Sequence, residues 1–211
     1  MLKLLKRLFS RPATTAQADA VEPLSDADIL REYFSPSAEA IDALAEFTRL
    51  VAAPLGNTEA DRLAAWVRTG GQPGDDIADL LVGAIAWDPE ADVAWTLAIG
   101  VDWKASDEIA WQANALLDTL GIAARWEWTR DPSEHTVAIG LLDFGDWLRP
   151  HGYHLLHVDT GGDDYFAFPL RTALLNEALA HAGRAGLKVE QADAFRVSQQ
   201  IRSKSSPSGI R

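Results

Sequence analysis

The stretch from Gly152 to Leu170, GYHLLHVDTGGDDYFAFPL, restricts what this chain can fold into more than any other part of it. Tyr153, Val158, Tyr165, Phe166 and Phe168 are strand formers. They flank Gly161-Gly162, a dipeptide that supplies the positive φ of a tight hairpin turn. With those two glycines as the turn, Asp159 lies opposite Asp164. Like charges directly opposed across strands repel, so the tip is expected in water, against a cation or against a basic partner.

Helical periodicity fills Ser25 to Asp88. Ser25 with Asp28 begins one helix. Ser35-Pro36 begins a second, with proline at its first helical position, running through Ile41, Leu44, Ala45 and Thr48 to Pro54. Thr58 with Asp61 opens a third through Leu63, Trp66 and Val67 as far as Gly70-Gly71. Asp75 and Asp76 suit the positive end of a fourth, carrying Ile77, Leu80, Leu81, Ala84 and Ile85.

At Val93 the period changes to two. Val93, Trp95, Leu97, Ile99, Val101 and Trp103 form the bulky face of a strand, and small residues form the other. A helix capped at Ser106 follows, bearing Ile109, Ala113, Leu116, Leu117 and Leu120 and closed by Gly121. Ile122, Ala124, Trp126 and Trp128 read as a second strand whose other face is wet, which argues against a doubly wound parallel sheet. Thr136 to Arg149 reads either as a strand and a short helix or as one helix. Thr172 to Arg184 is a helix and Leu187 to Glu190 a last short strand. Trp95, Trp103, Trp111 and Trp126 fall on expected buried faces, whereas Trp87 and Trp147 are free to be exposed. The fold class is α+β: N-terminal helices, then a mixed or antiparallel sheet with helices packed mainly on one face. The expected organisation is a basic segment and linker over 1–24, one domain over 25–195 (helical 25–88, sheet-containing 93–195) and a tail over 196–211 with too little apolar content to pack.

Charge narrows the function. The net charge is −12, but Lys3, Lys6, Arg7 and Arg11 contribute +4 at the start and Arg196, Arg202, Lys204 and Arg211 contribute +4 at the end. Residues 12–195 therefore carry −20, a field that disfavours nucleic acid and favours a basic protein partner. The absence of cysteine excludes a disulfide scaffold, a zinc-thiolate site and a thiol nucleophile, and fits a reducing, cytoplasmic compartment. MLKLLKRLFSR lacks the apolar core of a secretory signal but suits a short basic amphipathic helix in weak contact with an anionic membrane surface.

Val101-Asp102-Trp103-Lys104, the Leu148 to Tyr153 approach ending in Gly152-Tyr153, and Asp159-Thr160-Gly161-Gly162-Asp163-Asp164-Tyr165 form a familiar set. Over roughly Val93 to Leu170 the chain resembles the bacterial domain-of-unknown-function 6630 family. The resemblance implies a bacterial α+β domain and transfers no catalytic residue. The acidic, tryptophan-rich composition is also similar to that of immunity proteins of bacterial polymorphic toxin systems.

Candidate chemistry is sparse. The chain has no G-x-S-x-G, phosphate-binding loop, H-E-x-x-H or G-x-G-x-x-G motif, and no cofactor is expected. His151, His154 and His157 recur every third residue, but a strand sends His154 and His157 to opposite faces, so no shared metal is expected. Asp102, Asp159, Asp163 and Asp164 converge if their strands are neighbours. They are then either turn carboxylates or ligands of a hard divalent cation. Trp147, beside Asp143 and Asp146, is an expected apolar anchor within an acidic rim. The sequence reads as a non-catalytic, acidic protein-binding module. The alternative is a divalent-cation-dependent hydrolase working through Asp102, Asp159 and Asp163.

Overall fold

The structure, a computed structural model, describes residues 25, 35–72, 74–86 and 96–201. The basic segment, the linker, the helix expected after Ser25, Trp87, Val93 to Trp95 and the tail beyond Ile201 lie outside the described residues.

Among the described residues three helices come first: α1 (Ala38–Val51), α2 (Asn57–Thr69) and α3 (Ile77–Ile85). Helix α1 starts two residues later than the proline suggests. Ser37 is the N-cap, its hydroxyl accepting from the Ala40 amide at 3.2 Å, so Pro36 stands outside. Helix α3 opens on a full capping box: Asp76 accepts from the Ala78 and Asp79 amides, and Asp79 accepts from the Asp76 amide. Then follow β1 (Ile99–Asp102), α4 (Ile109–Thr119), α5 (Val137–Leu148), β2 (Tyr153–Val158), β3 (Asp164–Arg171), α6 (Leu175–Ala185), β4 (Val189–Glu190) and α7 (Ala192–Ser198).

The four strands form an antiparallel sheet in the order β1-β3-β2-β4. Side chains alternate between its faces, and each face has its own core. Leu156, Val158, Phe166, Phe168 and Leu170 meet the buried residues of α1, α2, α3 and α6, and the Phe47 ring of α1 stands edge-on to Phe168 at 5.7 Å. Ile99, Val101, Tyr153, Leu155 and Ala167 meet α4, α5 and Phe195 of α7. The α+β class with an antiparallel sheet is therefore observed, but helices cover both faces rather than mainly one. The reason is in β2 and β3, where apolar residues are buried on both faces, leaving no wet side.

Other expectations change for local reasons. Thr136 to Arg149 is one helix, Thr136 capping the Ile139 amide at 3.3 Å. The segment from Ile122 to Trp128 alternates like a strand but pairs with none of the described strands. A side-chain amide replaces the neighbouring strand: Asn114 of α4 donates to the Trp126 carbonyl at 3.0 Å and accepts from the Trp126 amide at 3.1 Å, satisfying the backbone without a ladder. Trp126 is 4% exposed, but Trp103 and Trp111 are 53% and 61% exposed, because β1 stops at Asp102 and Trp111 lies on the outer side of α4. Residues 196–201, expected in the tail, are ordered. Helix α7 runs to Ser198, and Ile201 packs on the core beside α5.

Candidate functional site

The end of the sheet where β2 and β3 turn is hollow. β2 ends at Val158, paired with Phe166, so the connection spans five residues, 159–163, rather than two. Asp159 shapes it by accepting from the Gly161 amide at 2.9 Å; Gly161 has φ +71°, a conformation that suits glycine. The longer loop changes the expected charge pair. Asp164 stands opposite Asp102 of β1, not opposite Asp159.

Beneath the loop lies a cavity of about 460 Å³. Trp103 stands at its edge. Asp159, Asp163, Asp164 and Glu190 contribute four carboxylates, and His157, Tyr165 and Phe195 form an aromatic wall. Among the described residues no lysine or arginine lines it, and none of the four carboxylates is in an ion pair. Helix α7 roofs the wall. Phe195 lies flat on His157, ring centroids 3.7 Å apart, and Tyr165 stands edge-on to Phe195 at 6.0 Å. The Tyr165 hydroxyl donates to the Gln199 side chain at 2.8 Å, and the Ser198 hydroxyl to Glu190 at 2.8 Å.

His157 is 3% exposed, and its Nδ1 is buried with no hydrogen-bond partner. Burial pushes its pKa down to about 3, so at neutral pH the ring is uncharged and carries a lone pair. His154, on the opposite face as the strand alternation requires, is only partly buried; burial and then Arg149 lower its pKa. The three histidines share no site. The four expected aspartates do gather at one end of the sheet, but a cation centre on Asp102, Asp159 and Asp163 is not formed. Among the described residues no three histidine or carboxylate side chains stand close enough to hold a metal ion. Asp102 instead accepts from the Lys104 amide at 2.9 Å, and the others are spread around a cavity.

The other expected residues, Asp143 and Trp147, lie on α5, where the chemistry is different. Arg130 grips Asp143 through two nitrogens at 2.6 and 2.7 Å and reaches Glu134 at 2.9 Å, while the Trp128 indole donates to Asp143 at 3.0 Å. Burial raises the Asp143 pKa, but the Arg130 and Trp128 hydrogen bonds outweigh it and hold the carboxyl below its ordinary value. The hydrogen bonds to Asp143 and then Glu134 raise the Arg130 pKa. Asp146 lies 3.7 Å from Arg149 and 3.9 Å from Arg196. Trp147 is half-buried between Phe144 and His151, at 6.2 and 4.3 Å. Hollows of about 400 and 610 Å³ flank this network, but its carboxylates already have partners.

Sequence reasoning located the tip aspartates and missed His157, Tyr165, Phe195 and Gln199 as parts of one wall. Phe195 and Gln199 are about thirty residues from the hairpin, and no local periodicity links them. The one available signal was His157 itself, a polar residue between Leu156 and Val158 in the strand.

Neither a curated protein nor a solved structure matches the chain. A family model does, over residues 28–193, a span that takes in the N-terminal helices as well as the sheet and so exceeds the Val93 to Leu170 resemblance. The chain belongs to the DUF6630 family, described as a domain of unknown function.

Proposed function

We propose that this protein is a non-catalytic binding module, similar in kind to an immunity protein, that engages a basic protein in the cytoplasm through the hairpin mouth. The observation that supports this most is the cavity wall, which among the described residues has four carboxylates, no basic side chain and a half-exposed tryptophan. Water-exposed charges of one sign attract an oppositely charged partner and speed its approach. An aromatic side chain set among them supplies the apolar contact that slows its departure. Trp103 is better exposed for that role than Trp147. Among the described residues no helix is long and apolar enough to cross a membrane.

The test is capture of partners from the source cell on the full-length chain at about 50 mM and 0.5 M salt. A basic protein held at low salt and released at high salt is the expected result, since screening shortens to a few ångströms at the higher concentration. Trp103→Ala is expected to raise the dissociation rate, and Asp163→Asn mainly to lower the association rate. A partner held equally well at both salts would overturn the electrostatic reading, and turnover of a phosphoester that depends on added metal would overturn the non-catalytic one.

A further inference from the structure

We infer that the corner where β1 passes into α4, carrying Trp103 and Trp111, is the surface that holds the basic partner, and that it takes a segment of that partner through side chains rather than as an added strand. The inference rests on the binding role proposed above and adds a second anchor, Trp111, outside the hairpin mouth.

Tryptophan is on average a highly buried residue, yet Trp103 and Trp111 are each more than half exposed. One such side chain alone is unremarkable on a protein surface, but these two share a corner. Trp103 is the first residue beyond β1, and Trp111 lies in the first turn of α4. Its neighbour Gln112 is bonded to Gly100 of β1, so the start of α4 lies against the strand that leads into Trp103. Exposed carboxylates accompany the pair: Asp107 and Glu108 between them in the chain, and Asp102 with its cross-strand partner Asp164. Indole rings beside carboxylates suit a segment in which apolar and cationic side chains are mixed. The Trp103 ring already takes a cation on its face, with Lys104 Nζ 4.5 Å from the ring centroid.

The mode of contact follows from the backbone. β1 is an outer strand of the sheet, and the unpaired side of an outer strand is where a peptide ordinarily adds by main-chain hydrogen bonds. Here that side is closed. The Gly100 amide donates to Gln112 Oε1 at 3.0 Å, and the Gly100 carbonyl accepts from Gln112 Nε2 at 3.0 Å. The Asp102 carbonyl accepts from the Ala105 amide at 2.9 Å. Gln112 is buried and also donates to Glu108 at 3.2 Å, so an incoming strand would have to break these bonds to displace it. Side chains are what remain for a partner to touch: the two indoles and the carboxylates beside them.

The experiment is a titration of the full-length chain, followed by NMR of the indole and backbone N–H groups, with three synthetic peptides of about fifteen residues. One has lysine and leucine patterned for a helix, one has glutamate in place of that lysine, and one alternates lysine and valine as in a strand. Saturable shifts of both the Trp103 and Trp111 indoles are expected with the helix-patterned basic peptide and none with the acidic one. The strand-patterned peptide is expected to bind about tenfold more weakly than the helix-patterned one. Trp103→Ala and Trp111→Ala are each expected to weaken binding about tenfold with unchanged urea melts, since both side chains are exposed. Full affinity in either variant would overturn the two-anchor surface; if Trp111 is the idle one, the mouth with Trp103 still stands. Equal or tighter binding of the strand-patterned peptide would overturn the side-chain mode. Equal binding of the acidic peptide, or no saturable shift with any peptide, would overturn the inference outright, while salt-dependent capture of a basic protein would still uphold the binding role. A concentration-dependent dimer abolished by Trp111→Ala would assign the corner to a second copy of the chain and overturn it as well. Peptide binding at both indoles without a captured basic partner would uphold the corner and sink the binding role.

Discussion

Two acidic, aromatic regions lie on this molecule, and they differ in whether their charge is already spent. On α5, Asp143 and Glu134 close on Arg130, Asp146 lies between Arg149 and Arg196, and the Trp128 indole completes the Asp143 shell. At the hairpin mouth, Asp159, Asp163, Asp164 and Glu190 face a cavity with no described ion-pair partner, above a histidine whose Nδ1 is unbonded. The same residue types therefore do opposite things. A carboxylate held by two guanidinium nitrogens stabilises the fold and projects little field, whereas one without an ion-pair partner keeps its charge available to a ligand. Acidic composition alone does not separate a structural network from a recognition surface; the location of the arginines does.

The largest expected effect is on the mouth's wall rather than its rim. His157 binds its proton far less readily when folded, at about 3 against an ordinary 6.5. Between those values the unfolded chain takes up a proton that the folded chain refuses, so stability is full above about pH 6.5 and falls as pH drops toward 3. The carboxylates facing His157, namely Glu190 across from it on β4 and the tip aspartates of the cavity, would oppose the shift if they dominated; burial outweighs them. The loss is on the order of 5 kcal/mol across the window. Urea unfolding at pH 7 and pH 4.5 is expected to show most of the slope, and His157→Phe is expected to remove it. An unchanged slope in His157→Phe would assign the acid sensitivity to Asp143 and the other carboxylates.

Next in size is the α5 network. Arg130→Met leaves Asp143 partly buried and unpaired and is expected to cost about 2 kcal/mol, discounted because both side chains are about a quarter exposed. Asp143→Asn keeps the Trp128 contact and should cost about 1 kcal/mol. Asp163→Asn at the mouth should cost nothing measurable. Equal losses at Asp143 and Asp163 in denaturant melts would erase the distinction between the two regions.

The fold was legible where one segment carries its own signal. Gly152 to Leu170 announces a hairpin by composition, and Asp76 with Asp79 announces a helix start. It was illegible where a distant side chain decides. Ile122 to Trp128 has strand periodicity, yet Asn114 takes the backbone positions a strand partner would need. Trp103 alternates in phase with Val101 and still faces water, because pairing with β3 ends at Asp102. The site divided in the same way. The tip aspartates are contiguous and could be read, but which of them oppose each other depended on loop length, and the wall depended on α7, a helix too short to stand out from a tail.

The smallest expected effect concerns the charge pair that the register creates. Asp102 and Asp164 are directly opposite on β1 and β3, and both are exposed. Two carboxylates at cross-strand distance repel by a few tenths of a kcal/mol in water, and nothing described on the Asp164 side chain offsets this, whereas Asp102 keeps its bond from the Lys104 amide. Asp164→Asn should therefore leave stability unchanged or raise it slightly at about 20 mM salt, and the gain should vanish at 1 M, where screening acts within about 3 Å. Asp102→Asn should gain less, because an amide oxygen is a poorer acceptor for Lys104 than a carboxylate. The measurement is a pair of urea melts at the two salts for each variant. A loss beyond about 1 kcal/mol in Asp164→Asn, larger than ordinary cross-strand interactions, would mean that this carboxylate is held like Asp143, and the mouth would then be a structural network rather than a site kept open for a ligand.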